Sequence, residues 1–256
     1  VRSSGEAENT VIDCENVNGD RGFVFETHGS YPIETEATVI ENITVTGGNE
    51  TNGGAIYVNN SSPILNNLML INNTADNGGG IYYNNSGITL SNLFITGNTA
   101  NSGGAIYITG SSVSDITSLL IDHNSANQGA GIYMAGSLVN VENVTIVDND
   151  GHGIYQVGGD INVSSTIIWN NNSDDYGTID YAYVNYQGIP PEGDGNLSKN
   201  PWFVDPDNRD YRLLNGSICI NHGSPDITNP DGSINDMGFY IHEQTYFGNL
   251  WYVANT

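Results

Sequence analysis

Five copies of one phrase, at nearly constant intervals, constrain this chain more than any other feature. It reads GGAIY at Gly53–Tyr57, GGGIY at Gly78–Tyr82, GGAIY at Gly103–Tyr107, GAGIY at Gly129–Tyr133 and GHGIY at Gly151–Tyr155. Its isoleucines, Ile56, Ile81, Ile106, Ile132 and Ile154, step by 25, 25, 26 and 22 residues. A second phrase has inner aliphatics at Val45, Leu70, Ile95, Ile121, Ile146 and Ile168, which step by 25, 25, 26, 25 and 22. Two markers sharing one period define an array of stacked units, since a unit this short buries its apolar face only against its neighbours.

Within a unit the apolar residues alternate, Leu93 and Ile95 to one side and Phe94 and Thr96 to the other, which is strand periodicity. Gly and Asn interrupt every unit too often for helices. The expected architecture is all-β: about seven coils of 22–26 residues, each of two or three short strands paired with the coil above and below, roughly 4.8 Å away. Equivalent residues then form columns. Asn73, Asn98, Asn124, Asn149 and Asn171 make one, with Gly48 in the same slot of the first coil. This pattern predicts a left-handed turn that tolerates Asn or Gly, with amides bonded along the column.

Three regions follow in order. Coils occupy 1–189, opening with Val11–Cys14 and Gly22–Phe25 at an uncapped upper end, with a lengthened loop over His28–Glu36. Ile179, 25 residues past Ile154, extends the register. Pro190 and Pro191 end strand pairing, and 190–240 is expected to close the lower end. Residues 241–256 read as a linker carrying a strand, Leu250, Trp251, Tyr252 and Val253, for a following module or a second copy. The start at Val1 suggests a processed chain or a piece of a longer one. Cys14 and Cys219, near opposite ends, are expected to be small buried residues and not a disulfide.

The net charge of −24 leaves Arg2, Arg21, Lys199, Arg209 and Arg212 as the whole basic complement, which argues against nucleic acid and anionic membranes as partners. No stretch approaches the ~20 apolar residues of a membrane span. Asn42, Asn84, Asn143 and Asn162 head sequons compatible with an extracellular location. Asp226, Asn229, Asp231 and Asn235 supply oxygens of the type that bind Ca²⁺, the one cofactor considered.

The GGGIY and N-x-x-I-x-x-N coils, followed by NPWFVDPDNRDYRLLNGSICINHGSPDITNPDGSINDMGFY, resemble the right-handed parallel β-helix repeat proteins of secreted and cell-surface bacterial and archaeal origin, built on the pectate-lyase-like scaffold. The likeness runs from Val11 to about Tyr240. It implies the fold, and a function among polysaccharide lyases, glycosidases, adhesins and modules of unknown role. Lyases of that group need a basic side chain on mid-stack strands, yet no Lys or Arg occurs between Arg21 and Lys199. Polygalacturonase-type hydrolases are the nearer comparison, through Gly151-His152-Gly153 with Asp148 and Asp150 before it and Asp174 and Asp175 after it. The order of those carboxylates departs from the family pattern, the Arg-x-Lys motif is missing, and His152 falls in the slot of Gly79, Gly104 and Ala130.

Two columns are candidate ligand or partner faces. Tyr57, Tyr82, Tyr107, Tyr133 and Tyr155 form one; Met69, Phe94, Leu120 and Ile167, with Trp169 beside them, form an outward column too apolar for water. A loop, the terminal segment or another subunit should cover the second. The leading expectation is a non-enzymatic extracellular structural or adhesive module of a larger cell-surface or filament-forming protein, associating with copies of itself head to tail; the alternatives are a carbohydrate-active enzyme, either a polysaccharide hydrolase or a lyase, or a passive glycan-binding module.

Overall fold

The computed structural model describes residues 1, 6–26, 38–110 and 113–242. The chain is a parallel β-helix with three walls. The first holds Val11–Asp13, Val39–Thr46, Ile64–Ile71, Thr89–Thr96 and Val113–Asp122, then strand pairs that end with Asn185–Tyr186. The second holds Asn49–Asn52, Thr74–Asn77, Thr99–Ser102 and Ser125–Gln128. The third runs from Phe23–Glu26 through Ile56–Asn59, Ile81–Asn84, Ile106–Thr109 and Ile132–Ala135 to Ile154–Gln156. Partners align as the period demands: Val45 with Leu70, Leu70 with Ile95, Ile95 with Ile121, and Phe23 with Ile56. The inner residues of the first and third walls, including Leu70, Ile95, Ile121, Ile56, Ile81 and Ile106, fuse into one buried apolar core.

Five regular coils span Val39 to Gln156. A shortened turn stands above them, and the turns below carry no third-wall strand, so the expected seven counts partial turns as whole ones. The register also ends differently. Tyr155 pairs with Tyr176, which places Asp175, and not Ile179, in the slot below Ile154. Ile179 packs against the core from the side as a half-buried residue.

The asparagine column forms, but for another reason than a left-handed turn. Positive φ falls on the residue before it: Gly47, Asn72, Gly97, His123, Asp148 and Asn170. Asn73, Asn98, Asn124 and Asn149 are instead buried amide ties, each Oδ1 accepting from the coil above and each Nδ2 donating to the Oδ1 below. Gly48 has no positive φ; a Cβ there would meet the Gly54 carbonyl oxygen at 1.9 Å, so steric room explains it. A second left-handed column, Asn42, Asn67, Asn92, Ser118, Asn143, Ser165 and Tyr183, kinks the first wall in every coil.

The terminal segment packs on the side of the stack. After Leu197 pairs beside Asn185, the chain turns back along the outside of the first wall as an antiparallel hairpin, Phe203–Asp205 with Asp210–Leu213, and an irregular tail. Tyr211, Phe203, Phe239 and Tyr240 cover Leu120 and Val147, while Leu213, Cys219 and Met237 cover Ile167. Phe239 meets Phe94 edge to face at 4.9 Å. Higher up, the turn Ala7–Asn9 covers Thr44, whose hydroxyl donates to Ala7 O at 2.9 Å. Leu120 and Ile167 are therefore interior residues and not a partner face, with Phe94 and Trp169 half-buried at the margin of the cover and Met69 half-buried one coil above Phe94. Both cysteines are free and buried.

Candidate functional site

The five residues considered for catalysis do not converge. Asp148 stands on the outer side of the first wall at a left-handed position, where Oδ2 accepts from the Tyr211 phenol at 2.6 Å and Oδ1 from Asn170 Nδ2. Asp150 lies past the corner, on the line of the second wall, and accepts from Asn172 Nδ2 at 2.7 Å and Ser125 Oγ at 3.4 Å. His152 occupies the repeat slot of Ala130: its carbonyl accepts from Gly131 N, as that of Ala130 accepts from Ala105 N. Its ring sits edge-on to Tyr155 at 4.9 Å, and desolvation lowers its pKa despite nearby Asp174.

Asp175 fills an isoleucine slot, which accounts for its chemistry. Oδ1 accepts the Ile154 backbone N–H at 2.7 Å and Oδ2 the Tyr181 phenol at 2.6 Å. Desolvation still dominates and raises its pKa to about 6. Asp174 is exposed and, with Asp175 and Tyr186, lines a hollow of about 270 Å³. Asp174 thus neighbours His152 and Asp175, while Asp148 and Asp150 are bound elsewhere by their own partners. This is an arrangement of scaffold ties, without two free carboxylates facing across a substrate-sized gap.

The tyrosine column is continuous, with centroid spacings of 5.4, 5.2, 4.6 and 5.6 Å from Tyr57 to Tyr155. Tyr176 extends it by one member at 4.5 Å, a residue the GxGIY phrase does not reveal because Asp175 replaces the isoleucine before it. Arg21 closes the top over Tyr57 at 5.1 Å and pairs with Glu50 at 3.0 Å. The ring planes lie within 15° of parallel, so each inner ring gives its faces to its neighbours and presents mainly its edge outward. Burial raises the pKa of Tyr57, Tyr82, Tyr107 and Tyr133, which keeps the phenols protonated.

The oxygens considered for Ca²⁺ shape turns. Asp231 Oδ1 accepts from Ser233 N and Oγ, Asn229 Oδ1 from Asp236 N, and Asn235 exchanges two side-chain bonds with Asn143; Asp226 is exposed. Among the described residues no group of three His, Cys, Asp or Glu side chains could hold a metal ion. The exchange with Asn235 holds the half-buried Asn143 amide under the closing segment. Asn42 and Asn84 are half-buried members of amide ladders, and Asn162 is exposed. Leu250, Trp251, Tyr252 and Val253 lie outside the described residues.

The family model of the Chlamydia polymorphic membrane protein (Chlamydia_PMP) repeat matches residues 92–109, part of one coil, from within Thr89–Thr96 to the end of Ile106–Thr109. No curated protein and no solved structure matches the chain.

Proposed function

We propose that this parallel β-helix repeat protein is a structural or adhesive module of a bacterial cell surface, and not a polysaccharide-degrading enzyme. The observation that carries the reading is that scaffold bonds hold Asp148, Asp150 and Asp175 at separate places, with Asp148 lining one hollow and Asp175 another. The coil that is similar to a bacterial membrane-protein repeat supports the location. Walls without Lys or Arg from residue 22 to residue 198 support the lack of lyase chemistry. The upper rim supports association between copies: Val11 and Val24 are exposed on edge strands, and Ile12 and Phe23 are only half-covered. In this reading Leu250–Thr256 adds a strand to that rim of the next copy.

Incubation with plant and algal polysaccharides, followed for new reducing ends and unsaturated uronates, should give neither; release of either product overturns the non-enzymatic reading. In sedimentation velocity, deletion of Leu250–Thr256 should shift oligomers to monomer. Assembly unchanged by the deletion removes strand addition as the mode of contact.

A further inference from the structure

We propose that the cleft between the last coils and the closing segment binds a neutral, hydroxyl-rich pyranose unit of an oligosaccharide, stacked on Trp202. The cleft encloses about 550 Å³, within the ~300–1,000 Å³ of small-molecule sites. Asp148, Trp169 and Asn170 line it from the coils, and Asn200, Trp202 and Leu214 from the closing segment.

Trp202 is the feature that asks for an explanation. Its φ of 55° is a left-handed conformation that bulky residues avoid, and its side chain is not rewarded by burial, since the residue remains 53% exposed. The surroundings nevertheless fix it twice: its N–H donates to Asn200 Oδ1 at 2.9 Å, and its carbonyl accepts from Leu214 N at 2.8 Å. A Cβ on Gly216 would stand 3.6 Å from the indole Cζ3, so the ring edge rests on that turn. The main chain of Trp202 is thus fixed on both sides and its half-exposed aromatic surface lines the cleft, so a ligand that covers it orders little backbone.

The remaining lining selects the ligand. A pyranose presents an apolar face of C–H bonds to an aromatic ring and hydroxyls at its rim. Asp148 accepts one bond at each oxygen from the protein, which leaves a lone pair on each for ligand hydroxyls. Among the lining residues the amides of Asn170 and Asn200 add a further acceptor and donor. No Lys, Arg or His lines the cleft, so Asp148 and the chain's charge of −24 disfavour uronates and other acidic sugars. The inference is independent of the surface-module reading, because it concerns a cleft within one chain and is read by sugar binding, not by assembly.

The test is calorimetry of the full chain against maltohexaose, cellohexaose, mannohexaose and a galacturonate hexamer. At least one neutral hexamer should bind, shift tryptophan emission to the blue and shield Trp202 from N-bromosuccinimide oxidation, read by peptide mass spectrometry. Trp202→Ala should weaken that binding at least tenfold, and Val157→Ala, at an exposed residue outside the cleft, should leave it unchanged. Absence of binding by every neutral hexamer, binding of the galacturonate alone, or equal affinity of Trp202→Ala overturns the proposal. Should Trp202→Ala fail to fold, oxidation of Trp202 in the wild-type chain that is not slowed by a bound hexamer overturns it equally.

Discussion

The phenol of Tyr211 donates to Asp148 Oδ2 at 2.6 Å and fastens the closing segment to the fifth coil across 63 residues of chain. Tyr211 is 1% exposed, and burial first, then its bond to Asp148, pushes its pKa up, so it stays a donor. Tyr211→Phe keeps the packing against Leu120 and Val147 but removes this charge-assisted bond. It should cost about 1.5–3 kcal/mol in urea unfolding, with faster hydrogen exchange over 203–213. Identical unfolding midpoints would show that the tie contributes nothing.

Asn124 shares with Asn149 the largest set of side-chain bonds in the buried column. Its Oδ1 accepts from Asn98 N and Asn98 Nδ2 at 3.0 Å each, and its Nδ2 reaches Ile95 O, Asp122 O and Asn149 Oδ1. Asn124→Ala strands several buried groups at once, at about 1–3 kcal/mol for each left unpaired. Asn77→Ala, which removes one half-buried bond to Asn52 Oδ1 at 2.9 Å, should cost only about 0.5–1.5 kcal/mol. Denaturation of the two variants side by side decides it; equal losses would refute the role given to the interior column.

Asp175 makes stability depend on pH in the unusual direction for a carboxylate. Its folded pKa of about 6 lies above the unfolded value of roughly 3.9, so the folded state holds the extra proton between them. Its favourable contribution is complete below about pH 4 and disappears as pH rises through about 6. Asp175→Asn keeps an acceptor for Ile154 N and does not titrate. The stability of wild type minus that of Asp175→Asn should fall across this window and level off above it; a flat difference would mean that the carboxyl is not desolvated.

The stack itself was legible because parallel pairing forces equivalent residues to recur at one interval, and Ile56, Ile81 and Ile106 declare it. The asparagine column was legible too, although its mechanism was misassigned: the left-handed residues Asn72 and His123 sit one place ahead of the buried amides Asn73 and Asn124. What covers Leu120 and Ile167 was one of three options, since Tyr211, Leu213 and Met237 reach them through contacts that no local pattern encodes. Asp175 looked like half of an acidic pair because DDY hides its position below Ile154. Trp202 carried no signal beyond its place after Asn200 and Pro201, because a cleft made by two distant segments leaves no periodicity.

One length change in this chain falls at a corner. The first wall steps 25 residues from Ile121 to Ile146, and the three residues lost by the next step disappear between Asp150 and Ile154, where the second wall ends. Among the described residues the apolar contacts of the closing segment reach no row above Phe94, so the stack behaves there as a ruler with gradations of about 4.8 Å. Splicing in one further 25-residue winding between Asn59 and Ile64 lengthens the molecule by one gradation while the clasp around Asp148 and the Trp202 cleft travel as an unaltered unit. Reach and recognition are thereby separable properties of a single polypeptide.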